Sequence, residues 1–162
     1  MDAAADRDRE RARRDMKFDH VGVTTTDLAA GRTLLEGSVG VEAWTEEFRD
    51  TVNDVWVQFG RCDAGMCYEL VAPLSPESPV NRVLSQRINV LNHMAYLVDD
   101  LRAEGDRLRA MGFVQVAEAR PAVAFGGRLI QFFVAQSRLM IELIEAPDHR
   151  HRYETPASSR IP

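Results

Sequence analysis

Two histidines and two glutamates recur in step along the chain. His20 and His93 lie 73 positions apart, as do Glu69 and Glu142. The residues around them keep the same offset. Asp19-His20-Val21-Gly22-Val23 answers Asn92-His93-Met94-Ala95-Tyr96, and Tyr68-Glu69-Leu70-Val71 answers Ile141-Glu142-Leu143-Ile144. Asp27-Leu28 answers Asp100-Leu101, and Val57-Gln58-Phe59 answers Ile130-Gln131-Phe132. A match held in phase over several segments marks one module used twice. If a pseudo-twofold axis relates the copies, the two His/Glu pairs converge near it. Two imidazoles and two carboxylates then form a site for one divalent metal ion, and this donor set suits Co, Zn, Ni, Mn or Fe. With four protein ligands an octahedral ion keeps two positions open, as catalysis requires.

The glutamates carry extra weight. Each stands in an apolar stretch, Met66-Cys67-Tyr68 before Leu70-Val71 and Leu139-Met140-Ile141 before Leu143-Ile144. An inward carboxylate without a partner costs several kcal/mol, so a shared cation would explain both.

The elements that must position these groups follow from pattern. In the first copy a strand over Phe18–Thr24 precedes an Asp27-capped helix from Leu28 to about Glu36, ended by Gly37 and Gly40. Strands are expected near Val41–Phe48, Val55–Phe59 and Met66–Val71. The second copy repeats this: a strand at Leu91–Val98, a helix to Met111, then strands at Phe113–Ala117, Arg128–Val134 and Leu139–Glu145. Each copy reads β-α-β-β-β. The fold expected is α+β, with two tandem βαβββ modules forming an eight-stranded curled sheet around a metal-binding cleft. The modules span about 17–73 and 91–147. The linker 74–90 is turn-rich and carries a short helix at Val80–Arg87. Residues 1–16 read as a flexible charged arm and 148–162 as a tail, with His149 and His151 solvated. Phe125-Gly126-Gly127 reads as a loop over the cleft.

Composition bounds the function. The 162 residues carry a net charge of −5, with 45% hydrophobic and 28% charged residues. That is an ordinary globular domain with nothing to draw it to nucleic acid or an anionic membrane. No apolar run reaches the roughly 20 residues of a membrane span. Met1–Lys17 lacks the apolar core of a signal peptide. Two cysteines make no disulfide framework, and a cytoplasmic location is expected.

These residues resemble the vicinal oxygen chelate superfamily, within it most nearly methylmalonyl-CoA epimerase. The resemblance covers about 17–147. It rests on Phe18-Asp19-His20-Val21-Gly22-Val23, on Tyr68-Glu69-Leu70-Val71 running into Ala72–Val80, on Leu91–Tyr96 with Val98-Asp99-Asp100-Leu101, and on Ile141-Glu142-Leu143. It implies metal ligands at His20, Glu69, His93 and Glu142. It also implies an epimerase that removes and returns a proton at a carbon α to a carbonyl, the metal stabilising the enediolate. Glu142, Asp54 and Gln58 are the catalytic candidates. Gln131, Phe125 and Gly126 are the candidates for holding substrate, a small molecule for which an acyl thioester is the class the resemblance suggests. A homodimer is a further expectation from the resemblance. The chain departs from the epimerase pattern at Val134-Ala135, Ala124-Phe125-Gly126-Gly127 and Leu34-Leu35, around the substrate and not the metal. The alternatives are a glyoxalase-type isomerase, a biosynthetic enzyme of the same fold with another substrate, an extradiol-type dioxygenase, and a non-enzymatic binding or resistance protein.

Overall fold

Two strands meet antiparallel at the centre, and a copy of the same unit extends from each. The computed structural model describes residues 16–86 and 91–154. The N-terminal arm, apart from Met16, and the end of the linker therefore lie outside the described residues. The first unit is β1 (Lys17–Thr24), α1 (Leu28–Val39), β2 (Val41–Trp44), β3 (Phe48–Asp50), β4 (Val55–Cys62) and β5 (Cys67–Pro73). A short helix α2 (Pro79–Ser85) follows. The second unit is β6 (Leu91–Leu97), α3 (Leu101–Ala110), β7 (Val114–Gln115), β8 (Arg120–Ala122), a 3₁₀ turn (Val123–Phe125), β9 (Arg128–Val134) and β10 (Met140–Ile144).

The sheet runs β2-β4-β5-β1-β6-β10-β9-β7, with β3 added on β4 and β8 on β9. It is a mirror order about the β1–β6 seam. The register repeats as well. Parallel β1–β5 pairs Val21 with Tyr68 and Gly22 with Glu69. Parallel β6–β10 pairs Met94 with Ile141 and Ala95 with Glu142, the same pairs shifted by the repeat. The duplication read in the sequence is thus a duplication of hydrogen-bonding register.

Helices α1 and α3 each begin where an aspartate caps them. Asp27 Oδ1 accepts from the Ala30 N–H at 2.8 Å, and Asp100 Oδ1 from the Ala103 N–H at 2.9 Å. Such caps stabilise a helix by about 1 kcal/mol each. Helix α1 lies on one side of the first unit, over Val23, Leu70 and Ala72; α3 lies over Val98, Phe133 and Leu143 of the second. The opposite, concave side carries a third apolar cluster with Val57, Phe59, Ala95, Leu97, Phe125 and Ile130. Strand alternation sorts the residues between the two sides. On β5, Cys67, Glu69 and Val71 face the groove, while Leu70 and Ala72 face α1.

Among the described residues ten strands stand where eight were expected. The Val41–Phe48 strand is broken in two at Thr45: its N–H still donates to the Phe59 carbonyl at 2.9 Å, but its hydroxyl and not its carbonyl accepts the Phe59 N–H, at 3.1 Å. Downstream, β7 is only two residues long, and β8 forms where no strand was expected.

Candidate metal centre

The four repeated residues converge at the bottom of the groove. All are buried: His20 0%, Glu69 6%, His93 6% and Glu142 2% exposed. His20 Nε2 lies 3.2 Å from His93 Nε2. Glu69 Oε2 is 3.3 Å from His20 Nε2 and 3.2 Å from His93 Nε2. Glu142 Oε2 is 3.4 Å and 3.1 Å from the same two nitrogens. Each residue thus offers one ligand atom within 4.8 Å of all the others. Bonds of about 2.1 Å to a divalent ion give donor edges of roughly 3.0 Å at right angles and roughly 3.4 Å at the tetrahedral angle. The five edges that involve a histidine nitrogen, 3.1–3.4 Å, fall in that interval, so the donor set matches the size of one ion.

The seam explains how the histidines meet. Antiparallel β1–β6 sets His20 opposite Ala95 and His93 opposite Gly22. These are equivalent pairs under the repeat, and each imidazole lies over a small residue. At Gly22 the fit is absolute, since a Cβ there would overlap Cε1 and Nδ1 of the His93 ring and lie 2.5 Å from its Nε2.

The far side of each ring is held too. Asp19 Oδ2 sits 2.8 Å from His20 Nδ1, and Asn92 Oδ1 sits 3.1 Å from His93 Nδ1. Strict alternation would aim Asp19 away from its neighbour. The register shift between Phe18 and His20 brings it alongside. An acceptor at Nδ1 favours the tautomer that presents Nε2 to a metal, which is the usual outer support of a histidine ligand.

Charge in the cluster is tightly coupled. Burial alone would lower the His20 pKa, but the Glu69 carboxylate and bonds with Asp19, Glu142 and Glu69 hold it well above its ordinary value. His93 is likewise raised: bonds and charge from Glu142 and Glu69 outweigh its burial. Burial would raise Glu69, yet His20 and His93 hold it down at about 2. Glu142 Oε2 is enclosed and makes no well-directed hydrogen bond, its nearest neighbours being the two imidazole nitrogens at 3.1 and 3.4 Å. A buried carboxylate oxygen held by ion pairing alone is what a cation ligand would be.

A family model for the glyoxalase/bleomycin resistance protein/dioxygenase superfamily matches residues 19–132. The chain belongs to that superfamily. The superfamily contains many metal-dependent enzymes, and solved structures agree on the fold. Methylmalonyl-CoA epimerase from Mycobacterium tuberculosis superposes with a TM-score of 0.65 at 26% identity, over 79% of this chain and 86% of that one. A hypothetical protein from Bacillus halodurans C-125 gives 0.69 at 20% identity, over 86% and 99%. A Streptomyces coelicolor methylmalonyl-CoA epimerase variant in complex with 2-nitronate-propionyl-CoA gives 0.65 at 21% identity, over 80% and 94%. An uncharacterised Bacillus subtilis (strain 168) protein is 26% identical over 140 residues, 83% of this chain and 96% of that one.

The remaining site candidates separate. Phe125 stands in the groove, its ring stacked 6.3 Å from His20 at 16°. Gly126, in the left-handed region at φ 64°, lines the cavity beside it. Gln58 and Gln131 do not reach the groove. Gln58 is paired with Leu70 and faces α1; its amide donates to the Thr45 carbonyl at 2.7 Å and its oxygen accepts from Arg32. It satisfies the Thr45 carbonyl that the ladder leaves without the Phe59 N–H. Gln131 is paired with Leu143, faces α3, and donates to the Ala117 carbonyl at 3.3 Å. Phe59 and Phe132 are the groove-facing members of those segments, edge-on to His20 and His93. Asp54 sits in the turn before β4 at φ 57°, its carboxylate taken by the Ser75 hydroxyl at 2.6 Å. It is roughly 16 Å along the strand from Phe59, at about 3.3 Å per residue, and takes no part in the cluster.

His149 and His151 are not solvated. Residues 149–154 turn back across the groove, and His151 Nε2 donates to Asp19 Oδ2 at 2.8 Å. Its ring stacks on Phe59, 4.0 Å between centroids at 28°. The only trace of this in the sequence is the alternation His149-Arg150-His151-Arg152-Tyr153.

Proposed function

We propose that this chain is a metal-dependent isomerase of the methylmalonyl-CoA epimerase type, exchanging the proton at a carbon α to a carbonyl. The observation that carries the reading is the buried cluster of His20, Glu69, His93 and Glu142, whose ligand atoms converge, in a fold shared with epimerases. A divalent ion held there would act as a Lewis acid on carbonyl oxygen and make the adjacent C–H more acidic.

The chain's own residues supply the rest. Asp19 and Asn92 fix the two imidazoles, so the donors are set before any ligand arrives. Glu69 and Glu142 come from the two halves, and a substrate bound at the cluster would meet a carboxylate from each. Glu142, whose Oε2 makes no well-directed hydrogen bond, is the group assigned to carry the proton. Phe59, Phe125 and Phe132 line the groove with apolar surface and exclude water, which strengthens every charge interaction inside it. The substrate class supported is a compound with two carbonyl oxygens flanking the acidic carbon, such as a 2-substituted malonyl thioester.

The test is deuterium wash-in. Metal-loaded protein in D₂O should place one deuterium on the α-carbon of such a thioester, and Glu142→Gln should abolish it. Loaded protein that exchanges neither acyl thioesters nor 1,3-dicarbonyl acids would overturn the assignment.

A further inference from the structure

The segment after β10 is built into the groove. His149, His151 and Tyr153 point inward, and Arg150, Arg152 and Glu154 point out, the period of an extended strand. It leaves the second unit at Ala146, whose carbonyl accepts the His149 N–H at 3.0 Å, and ends on the first, where the Glu154 N–H donates to the Trp44 carbonyl at 2.7 Å. Between those anchors every inward side chain is engaged. His149 packs edge-on to Phe125 at 4.7 Å. His151 stacks on Phe59 and pairs with Asp19. Tyr153 donates to Cys67 Sγ at 3.2 Å, and Arg61 lies 4.6 Å over its ring. The open cavity at the groove mouth, about 470 Å³ and bounded by Thr45, Phe48, Val123 and Gly126, ends on His149 and His151 and not on the four-residue cluster.

We propose that residues 149–154 are a specificity-determining strap, which admits compact ligands to the cluster and excludes bulky acyl carriers such as a coenzyme A thioester. The proposal rests on the groove being the reaction site assigned above. Its geometric basis is the side chains themselves: the rings of His151 and Phe125 occupy the space directly over His20. A ligand large enough to need that space must break the Asp19 and Cys67 contacts first.

Cys67 offers a readout that needs neither metal nor turnover. It is 6% exposed, on the groove face of β5, directly beneath Tyr153. In a full-length Cys62→Ser background it is the sole thiol. Its labelling by small iodoacetamide and by a bulky fluorescein maleimide is compared with that of an unstructured peptide thiol. The strapped protein should discriminate against the bulky reagent. His151→Ser with Tyr153→Ser should raise bulky labelling about tenfold and narrow the ratio, as expected when a local opening loses contacts worth about one hydrogen bond. Tyr153→Phe, which keeps the ring over Arg61, should raise it about threefold by the same reasoning. An unchanged ratio in both variants overturns the strap. In parallel, α-proton exchange is followed with a short N-acetylcysteamine thioester and with the coenzyme A thioester. The strapped protein should prefer the short one, and the double variant should lose that preference. If no thioester exchanges in either protein, the proposed reaction fails while the labelling ratio still decides the strap.

Discussion

Gly22→Ala adds one methyl group and should remove the metal site. The backbone at Gly22 has no positive φ, so alanine fits its conformation. The cost is the Cβ, which would overlap the His93 ring and lie 2.5 Å from Nε2, where ordinary contact begins at 3.4 Å. The ring must therefore retreat by about 1 Å, several times the roughly 0.2 Å tolerance of a metal–ligand bond. Loss of an outer support alone weakens metal binding by about 10–100-fold, and displacing a ligand should exceed that. The assay is competition against a chelating dye, with Gly37→Ala as the control. No atom lies within 4 Å of a Cβ at Gly37, so alanine in that helix should stabilise the fold by about 0.5–1 kcal/mol and leave affinity unchanged. Gly22→Ala binding metal within about threefold of the parent, with its fold intact, would refute the placement of His93, since a lost ligand costs far more.

Asp19→Asn should weaken metal binding by about tenfold, the lower end of the range for outer supports, because Asn92 already does the same work for His93 with an amide; dye competition again reads it. Gln58→Ala should leave metal affinity unchanged and cost about 1–3 kcal/mol in denaturant unfolding, because the buried Thr45 carbonyl loses its donor. Acidity should act in opposite senses on the free and loaded protein. His20 and His93 are raised, so their stabilisation is present below their unfolded value near 6.5 and lost as pH rises through the folded values. Glu69 is depressed to about 2, so its contribution is present above 4.5 and lost below it. Metal-free Tm should therefore fall above pH 6.5, while metal affinity should rise with pH as the ion displaces imidazole protons; a flat metal-free Tm from pH 6.5 to 9 would contradict the buried charge pairing.

The repeat was legible because it is carried by side-chain type as well as by spacing. Four residues at one offset named the cluster, and the β1–β5 and β6–β10 registers then placed them together. Facing was harder to read. In Val57-Gln58-Phe59 and Ile130-Gln131-Phe132 the glutamine and the phenylalanine repeat equally well, so the duplication fits either parity. A slip of one residue exchanges groove for helix, and only the pairing of Gln58 with Leu70 and of Gln131 with Leu143 decides it. Asp54 stands just before β4, as the sequence suggests, but at the end of that strand remote from Phe59, where its carboxylate is taken by Ser75. The strap was illegible because its inward residues are two histidines and a tyrosine, polar enough to pass for a solvated terminus. Their partners, Asp19, Phe59 and Cys67, are remote in sequence.

The most direct measurement is metal content per chain, by elemental analysis of protein purified without an affinity tag and reconstituted with Co, Zn, Ni, Mn or Fe(II), beside His93→Ala and Glu142→Ala. The account predicts one ion per chain in the parent and loss of that ion in both variants. No bound ion in the parent, or one that both variants retain, would contradict it.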